Sequence, residues 1–454
     1  MNLKASFFYA KSLISPKTEK KSSARKSFLG AIFCIGLSLI PLIVVINVTD
    51  GMIDGMTQRL IGLSSGHVEA FISPYFEGVS TASHFEKTAA EVSKIKGVKN
   101  CYPEVSLSAL ATANEYKTGA QIRAVTKNIF TENQDFETLF EFVQGSANDF
   151  GKEKNAIIGK QISELLSVNV GDSIKIITTR TVAGKTVPKL TTFNICGIVT
   201  SGYQELDALW VFVTLEDAYK NLPVISSKII TKTDDDGNVK KYKSIESNAS
   251  FLLMANSTDA FSPELSEVQK DIQNYFGEYA NVYRWNQVHE SKFQNFSSTK
   301  VMLVFIMILI VLVASINISS AIIMIVMERQ KEIAILKSFG ASSTTVTFAF
   351  LICGISCSVG GILIGVPFGC IISVFFNQII FAMEFLLNFV SHIFSDTNIQ
   401  LLNPEFYLQN VKVTISSGTV ILVCFGTMIL SLLVSIIPSI KAGKEKPLDT
   451  LRKN

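Results

Sequence analysis

The chain has 454 residues, of which 48% are hydrophobic and 17% are charged, and its formal net charge is only +3. Its mean hydropathy of +0.35 is too high for an ordinary soluble protein and too low for a protein embedded along its whole length. The composition excludes both classes, and such a small net charge gives no reason to expect nucleic acid as a partner.

Four stretches contain no charged residue and are each long enough to cross a bilayer, which takes about 20 helical residues. They cover residues 27–49, 301–327, 338–383 and 413–440. Residues 50–300, between the first and second stretches, have the mixed composition of a folded domain. The sequence predicts an α-helical membrane protein with four transmembrane helices and a large domain inserted between helices 1 and 2.

Lysine and arginine residues flank these stretches unevenly. Seven precede the first stretch, three lie in the loop after the second and five lie in the tail after the fourth. Positive residues near span ends stay in the cytoplasm. The termini (1–26 and 441–454) and the loop 328–344 are therefore predicted to be cytoplasmic, and the domain at 50–300 to lie outside the cytoplasm. No A-x-A-type site follows Val48, so the first stretch is expected to stay as a span rather than be cleaved as a signal peptide.

The domain at 50–300 carries signals of both strands and helices. Strand composition covers three segments, 173–177, 193–199 and 210–213. Thr214 and Asp217 form a capping box that starts a helix, and shorter apolar periodicities predict helices over 161–166 and 263–276. On the last of these, four residues share one face: Leu265, Val268, Ile272 and Phe276. We predict an α+β domain of two subdomains.

A charged segment, 228–247, interrupts these elements and is expected to be flexible, with a hairpin turn at Asp236-Gly237. Cys101 and Cys196 also fall in this domain, and the sequence leaves a disulfide and two free thiols equally open.

The loop 328–344 follows the second stretch directly. Its charged beginning leads into a short helix with Ile333, Leu336 and Lys337 on one side. Gly340 is predicted to end this helix at the C′ position, and Ser343 to cap the next helix. The loop either receives force from a partner or is a charged connection that only fixes topology.

The third stretch is too long for one crossing. Its 46 residues would reach about 69 Å as a helix, roughly twice the bilayer core. A fifth span would place the basic tail outside, against the charge bias, so the spans are set at 27–49, 301–327, 345–378 and 417–440. Residues 379–416 are predicted to form a periplasmic loop, with an interfacial amphipathic helix around 385–394.

The chain carries no recognisable catalytic or metal site. Its four histidines, His67, His84, His289 and His392, are scattered, and none forms a pair at the spacing of metal ligands. No nucleophile can be paired with a base. We therefore predict a non-catalytic chain without a bound metal.

Several segments resemble one family of membrane proteins. Residues 327–342, MERQKEIAILKSFGAS, resemble the signature of the FtsX/MacB-type (type VII) ABC transporter permeases. Further matches follow in family order at 47–52, 157–172, 193–216, 402–405 and 437–442. Within this family the chain is most similar to the LolC/LolE subunits of the lipoprotein-releasing transporter, and the likeness covers nearly the whole length.

The resemblance implies a MacB-like periplasmic domain and an assembly in the bacterial inner membrane. The partners would be a second permease copy or paralogue and a pair of LolD-like ATPase subunits, which would hold ATP and Mg while this chain binds no cofactor. The substrate would be an acylated lipoprotein taken from the outer leaflet among the membrane lipids and passed to a periplasmic LolA-like carrier.

The resemblance also implies roles for particular residues. The loop 328–344 would be the coupling helix seated in the ATPase, through Glu328, Arg329, Lys331, Glu332, Leu336, Lys337 and Gly340. The carrier would dock on a hairpin that includes Thr181, Ala183, Gly184 and Pro188. This hairpin lacks the Met- and Pro-rich loop expected of the carrier-binding subunit, so the LolC-like and LolE-like roles stay open.

Acyl chains need an apolar, adaptable surface near the outer membrane boundary. Apolar residues with helical spacing extend the first span past Asp50 and face the start of the second: Met52, Ile53, Met56, Leu60, Leu63, Val301, Val304, Phe305 and Ile308. Ordinary packing between span and domain is the alternative for each of them.

Two other functions within the family are the alternatives. A MacB-like efflux permease would carry its ATPase at the N-terminus, where the first 26 residues leave no room. An FtsX-like regulator of periplasmic cell-wall hydrolases would have a smaller periplasmic domain. Lipoprotein release is therefore the preferred prediction.

Overall fold

The structure is a computed structural model that describes residues 8, 10, 23–182, 185–233, 239–394, 411–413 and 415–444. These residues form two compact units. The helical unit is drawn from the chain up to Ile53, from Asn295 to 394 and from Val411 onward, and the α+β unit runs from Asp54 to Gln294.

The helices are α1 (Ser23–Leu60), α2 (Ala82–Val92), α3 (Ile129–Glu132), α4 (Gln134–Leu139), α5 (Lys160–Leu166), α6 (Gln204–Asp207), α7 (Leu215–Asn221), α8 (Leu265–Phe276), α9 (Trp285–Val288), α10 (Glu290–Glu328), α11 (Gln330–Ser338), α12 (Ser343–Val374), α13 (Phe376–Phe394) and α14 (Ser417–Lys444). A π-helical turn, Ile61–Ser65, follows α1 without a break.

The strands are β1 (Val68–Ile72), β2 (Asn100–Ala113), β3 (Tyr116–Val125), β4 (Glu141–Gly145), β5 (Asn155–Gly159), β6 (Ser173–Val182), β7 (Lys185–Thr200), β8 (Trp210–Thr214), β9 (Ser226–Thr233), β10 (Val239–Glu246), β11 (Ser250–Asn256) and β12 (Ala280–Arg284).

Four helices in the described part of the chain, α1, α10, α12 and α14, are long and apolar enough to cross a membrane. Two of them extend well beyond the apolar stretches from which they were predicted. Helix α1 continues past Asp50 to Leu60, and α10 begins ten residues before Lys300. A salt bridge of 2.6 Å between Lys300 Nζ and Asp50 joins the two helices near these points.

Small residues let the helices of the helical unit approach closely. Gly361, Gly365 and Gly369 of α12 face α1, and a Cβ at Gly365 would lie only 2.6 Å from the carbonyl oxygen of Gly36. Asn47 of α1 donates to the Ser373 hydroxyl of α12 at 3.2 Å. Such stripes of small residues, with few interhelical hydrogen bonds, are the usual way in which helices pack in membranes.

Helix α12 packs equally closely against α14. The hydroxyls of Ser358 and Ser431 are 2.8 Å apart, and Ser431 also bonds to the Gly354 carbonyl at 3.3 Å. A Cβ at Gly354 would lie 2.3 Å from the Ser435 hydroxyl. Pro367 lies inside α12, where its ring removes one backbone donor.

The α+β unit is built on one mixed sheet in the order β12-β1-β11-β2-β3-β8-β5-β7-β4, with β6 paired to β2 and β7. The apolar core includes the predicted buried face of α8, because Leu265, Val268, Ile272 and Phe276 are all buried. Thr214 caps α7 by accepting from the Asp217 amide at 3.1 Å, which confirms the predicted N-cap. The Asp217 carboxylate accepts from the Thr214 hydroxyl and the Lys154 amide, so the structure shows only the N-cap half of the predicted capping box. The predicted division into two subdomains stays a prediction.

The charged segment at 228–247 is more regular than predicted. Strands β9 and β10 pair antiparallel along it from Ser226↔Glu246 to Thr233↔Val239. The predicted turn at Asp236-Gly237 lies outside the described residues. Cys101 and Cys196, for which the sequence left two states open, are free thiols.

The amphipathic helix predicted around 385–394 is part of a longer helix. Helix α13 begins at Phe376, one residue after the C-cap of α12. The amide side chain of Asn377 makes two hydrogen bonds to the backbone of Val411, at 2.9 and 3.3 Å, and so joins the start of α13 to the segment before α14.

Candidate functional site

The predicted coupling segment, 328–344, consists of α11 and the turn that connects it to α12. The turn is a Schellman motif, in which Gly340 donates to the Lys337 carbonyl at 3.0 Å and Ala341 donates to the Leu336 carbonyl at 3.1 Å. Gly340 has φ +94°, a conformation that favours glycine. The predicted C′ role of Gly340 is confirmed.

The cap of α12 is one residue earlier than predicted. Ser342 has extended backbone angles, and its hydroxyl accepts from the Thr345 amide at 3.2 Å. Ser343 is already the first helical residue, so its assignment as the cap was wrong. The N-cap residue must precede the helical dihedral angles, and only Ser342 does so.

Helix α11 is attached to its surroundings by two buried residues in its middle and by one hydrogen bond near its C-terminal end. Ile333 and Ala334 are buried in the apolar interior of the helical unit. Lys337 donates from Nζ to the Gly443 carbonyl at 2.8 Å, which joins α11 to the end of α14. There is no space beside Gly443, since a Cβ would lie 2.2 Å from the Thr347 hydroxyl of α12. The segment is therefore fixed to three long helices, α10, α12 and α14.

The opposite side of α11 faces outward. Phe339 is 87% exposed and Ile335, four residues earlier, is also exposed, so the two lie on one face. Lys331 and Glu332 are exposed beside them, and Arg329 pairs with Glu332. An apolar pair with flanking charges is suited to bind a protein partner.

Only some of the predicted coupling residues are exposed, and the coupling role of all of them stays a prediction. Leu336 and Lys337 are half-buried, whereas Ile335 and Phe339, which were not among the predicted coupling residues, are exposed. The sequence signal that could have identified Phe339 as exposed is its position as a large apolar residue next to a C′ glycine in a polar loop.

The residues predicted to contact acyl chains fall into three groups, which are buried, exposed and half-buried. Met56, Leu60 and Leu63 are buried in the α+β unit, and Leu63 is 0% exposed. Packing is tight there, because a Cβ at Gly62 would lie 2.9 Å from Leu139 of α4. The second group lies on α10, where Val301, Phe305 and Ile308 are exposed. Met52, Ile53 and Val304 are half-buried.

The predicted carrier-docking hairpin is formed by β6 and β7. Thr181 pairs with Thr186 and Thr179 pairs with Pro188 in an antiparallel register. Pro188 is exposed. Ala183 and Gly184 lie outside the described residues. The hairpin geometry is thus present, while its role as a docking site stays a prediction.

A buried ionic group in the α+β unit was missed by the sequence analysis. Arg123 on β3 donates to both carboxylate oxygens of Glu104 on β2, at 2.8 and 2.5 Å, and to the Leu63 carbonyl. Its guanidinium lies 4.3 Å from the ring centroid of Trp210. Burial and the charge of Glu104 raise the pKa of Glu69, on β1, to about 8, although Arg123 opposes the shift.

Among the residues that the structure describes, no group of His, Cys, Asp and Glu side chains could hold a metal ion. Burial raises the pKa of Cys101, and it raises the pKa of Cys196 to about 11, so neither thiol has the lowered pKa of a reactive cysteine.

Comparison with known proteins gives two family matches. Residues 27–245 match the MacB-like periplasmic core domain, and residues 304–447 match the FtsX-like permease C-terminal domain.

Curated relatives match over most of the length. The lipoprotein-releasing system transmembrane protein LolC of Neisseria meningitidis serogroup B is 25% identical over 95% of this chain and 96% of its own. LolC of Xylella fastidiosa is 21% identical over 93% of each chain, and LolE of Haemophilus influenzae is 22% identical over 92% of each chain.

Proposed function

Because the chain belongs to the FtsX/MacB-type ABC transporter permeases, we propose that it is the membrane subunit of a system that releases acylated lipoproteins from the inner membrane. ATP hydrolysis takes place in a separate partner subunit, and the lipoprotein passes to a periplasmic carrier. The observation that carries the proposal is the match to LolC and LolE proteins over 92% or more of both chains.

The proposed topology has four membrane-spanning helices and cytoplasmic termini. Helices α1, α10, α12 and α14 have the length and composition for this. The α+β unit is then periplasmic, as the match to a periplasmic core domain supports. The basic residues around α11 favour the cytoplasmic side for that helix.

The proposed ATPase contact is the exposed face of α11. Ile335 and Phe339 would insert into a groove of the ATPase, and Lys331 and Glu332 would set its orientation at the rim. ATP and Mg are held by the ATPase pair, and a second permease copy or paralogue completes the complex.

The proposed acyl-chain surface is the exposed face of α10. Val301, Phe305 and Ile308 follow one another at helical spacing and are all exposed, so they form one apolar strip. Exposing acyl chains to water costs about 0.8 kcal/mol per CH₂, so three chains of ordinary length cost tens of kcal/mol. One ATP cannot supply that, and transfer therefore requires that the chains stay covered.

The test is site-specific photo-crosslinking in the assembled complex, with the photoreactive residue at position 305. The matched control is position 422 on α14, because Leu422 is 71% exposed and Phe305 is 62% exposed. We expect an acylated lipoprotein to be captured at 305 several times more than at 422, and its unacylated variant not to be captured.

Release is measured in the same preparation by transfer of the lipoprotein to the carrier upon addition of ATP. Equal capture at both positions, or capture of a hydrolase with no release of lipoprotein, would contradict the proposal. The second result would favour an FtsX-like regulator.

A further inference from the structure

Ser201–Asp207, the first part of the connection between β7 and β8, ends in α6 and is held by hydrogen bonds to one buried carboxylate; it is called the Ser201–Asp207 loop. The Asp207 carboxylate accepts from the Thr200 hydroxyl at 2.6 Å and from the amide and hydroxyl of Ser201 at 2.8 and 2.7 Å. Asp207 is buried, and this burial raises its pKa, an effect opposed by these bonds and by the charge of Arg59. The loop is thus a rigid unit.

Arg59, in the last turn of α1, binds this loop from one side. Its Nε donates to the Ser201 carbonyl, and its Nη1 donates to the Gly55 carbonyl of its own helix at 3.2 Å. The guanidinium passes over Gly202, where a Cβ would lie 3.4 Å from Nη2. The end of α1 is therefore bonded to the backbone of the loop.

Lys292, in the first turn of α10, binds the same loop from another element. Its Nζ forms a 2.8 Å salt bridge with Glu205 and lies 6.0 Å from the ring centroid of Tyr203. The Tyr203 hydroxyl donates to the other carboxylate oxygen of Glu205. His289 lies beside this pair, where burial and Lys292 lower its pKa to about 4, so it adds no charge at neutral pH.

A glycine on the sheet provides the space that the Ser201–Asp207 loop needs. Gly159, at the end of β5, touches the loop so closely that a Cβ would lie 2.0 Å from the Asp207 carbonyl oxygen. The loop therefore packs directly on the sheet, and Thr200, which precedes it, is the last residue of β7. The opposite end of β7 enters the β6–β7 hairpin at Lys185.

We propose that the Ser201–Asp207 loop is a mechanical joint, in which Arg59 and Lys292 are positioning residues that pass movement of α1 and α10 to β7 and its hairpin. The inference rests on the proposed function, because it assumes that a nucleotide cycle moves these helices. It identifies Arg59 and Lys292 as the residues through which α1 and α10 are bonded to the loop that follows β7. It adds Glu205 and Lys292 to the residues required for transport.

The test is charge reversal in the full complex with its ATPase. The variants are Glu205→Lys, Lys292→Glu and the double variant that restores the pair with opposite polarity. The matched control is Lys220→Glu, since Lys220 and Glu153 form a 2.6 Å salt bridge in the same domain and neither residue lies on α1 or α10 or in the Ser201–Asp207 loop. Partly exposed ion pairs contribute little to stability, so the domain is expected to fold in all variants.

Two measurements are made on each complex. The first is lipoprotein released per ATP hydrolysed, and the second is the nucleotide-dependent change in hydrogen exchange of the β7 amides. We expect each single reversal to lower release per ATP at least about fivefold and to abolish the exchange change. The double variant is expected to recover both, and Lys220→Glu to match the wild type.

The outcomes separate the two proposals. If the wild type releases lipoprotein and the single reversals do so equally well per ATP, the joint is refuted and the function stands. If β7 responds to nucleotide in the wild type but not in the single variants, while no lipoprotein is released by any complex, the joint stands and the cargo is wrong. A wild-type β7 that does not respond to nucleotide refutes the joint.

Discussion

Replacement of Glu69 by glutamine is expected to change how the stability of the α+β unit depends on pH. Glu69 is 4% exposed and lies beside an ion pair in which both carboxylate oxygens of Glu104 already bind Arg123. Its pKa is raised to about 8 by burial and by the Glu104 charge, so the carboxyl is protonated in the folded protein at neutral pH. Glutamine mimics that protonated form.

The direction of this pH dependence follows from the pH at which Glu69 loses its proton in the folded and in the unfolded chain. The unfolded chain loses the Glu69 proton near pH 4.5, whereas the folded chain keeps it up to about pH 8. The contribution of Glu69 to the free energy of unfolding is therefore largest below pH 4.5 and falls as pH rises toward 8, by about 1.4 kcal/mol per pH unit. Between pH 5.5 and 7.5 the wild type is expected to lose about 3 kcal/mol from this group, and Glu69→Gln to lose none of it.

The assay is hydrogen exchange of the β1 and β11 amides in the full chain in detergent, corrected for the intrinsic effect of pH. Glu141→Gln is the matched control, because Glu141 is an exposed strand residue on β4. We compare the change in the free energy of unfolding between pH 5.5 and 7.5 in the wild type and in Glu69→Gln. If the two changes differ by less than about 1 kcal/mol, Glu69 is not a buried protonated carboxyl.

Three further predictions concern the helical unit and its topology. Gly340→Val forces a branched side chain into φ +94°, at a cost of about 1–2 kcal/mol, and is expected to lower ATPase-coupled release without affecting membrane insertion, as measured by fractionation. Gly365→Val would place a Cβ 2.6 Å from the Gly36 carbonyl oxygen, so we expect a lower thermal stability in detergent. Lys331→Cys is expected to react with an impermeant maleimide only after lysis, and Lys152→Cys to react in cells with a permeabilised outer membrane.

Matched controls exist for the two glycine variants. Gly171 also has a positive φ, +98°, and a Cβ added there would meet no other described atom within 4 Å, so Gly171→Val tests strain away from the coupling segment. Gly426 of α14 has open space beside it, so Gly426→Val is expected to leave the helix packing intact. Reaction of Lys331→Cys in intact cells would contradict the proposed topology.

Local sequence signals predicted several elements well. The buried face of α8, the Thr214 cap and the Gly340 turn each depend on residues within about three helical turns of one another. The cap of α12 was missed by one residue, because Ser342 and Ser343 are equally good caps by composition and only the backbone angles distinguish them.

Other features depend on contacts between distant parts of the chain. Leu60 and Leu63 continue the apolar spacing of α1. That spacing is the same whether the helix face contacts lipid or the core of a domain, and the structure buries both residues in the α+β unit. Arg123 and Glu104 come together only because β2 and β3 pair, and Lys292 meets Glu205 across 87 residues. No local pattern reports such pairs, so the ionic group and the joint could not be predicted.

The attachment of α11 to three long helices has a consequence for where the membrane bundle can bend. Lys337 bonds α11 to the end of α14, the Ser342 cap closes the start of α12, and α11 follows α10 directly in the chain. We therefore expect a load on Phe339 to be shared by α10, α12 and α14, so that this end of the bundle moves as one block. In α12 the first proline beyond this block is Pro367, about seven helical turns from Ser343. We expect a hinge there, so that a small tilt imposed at one end becomes a lateral swing at the other.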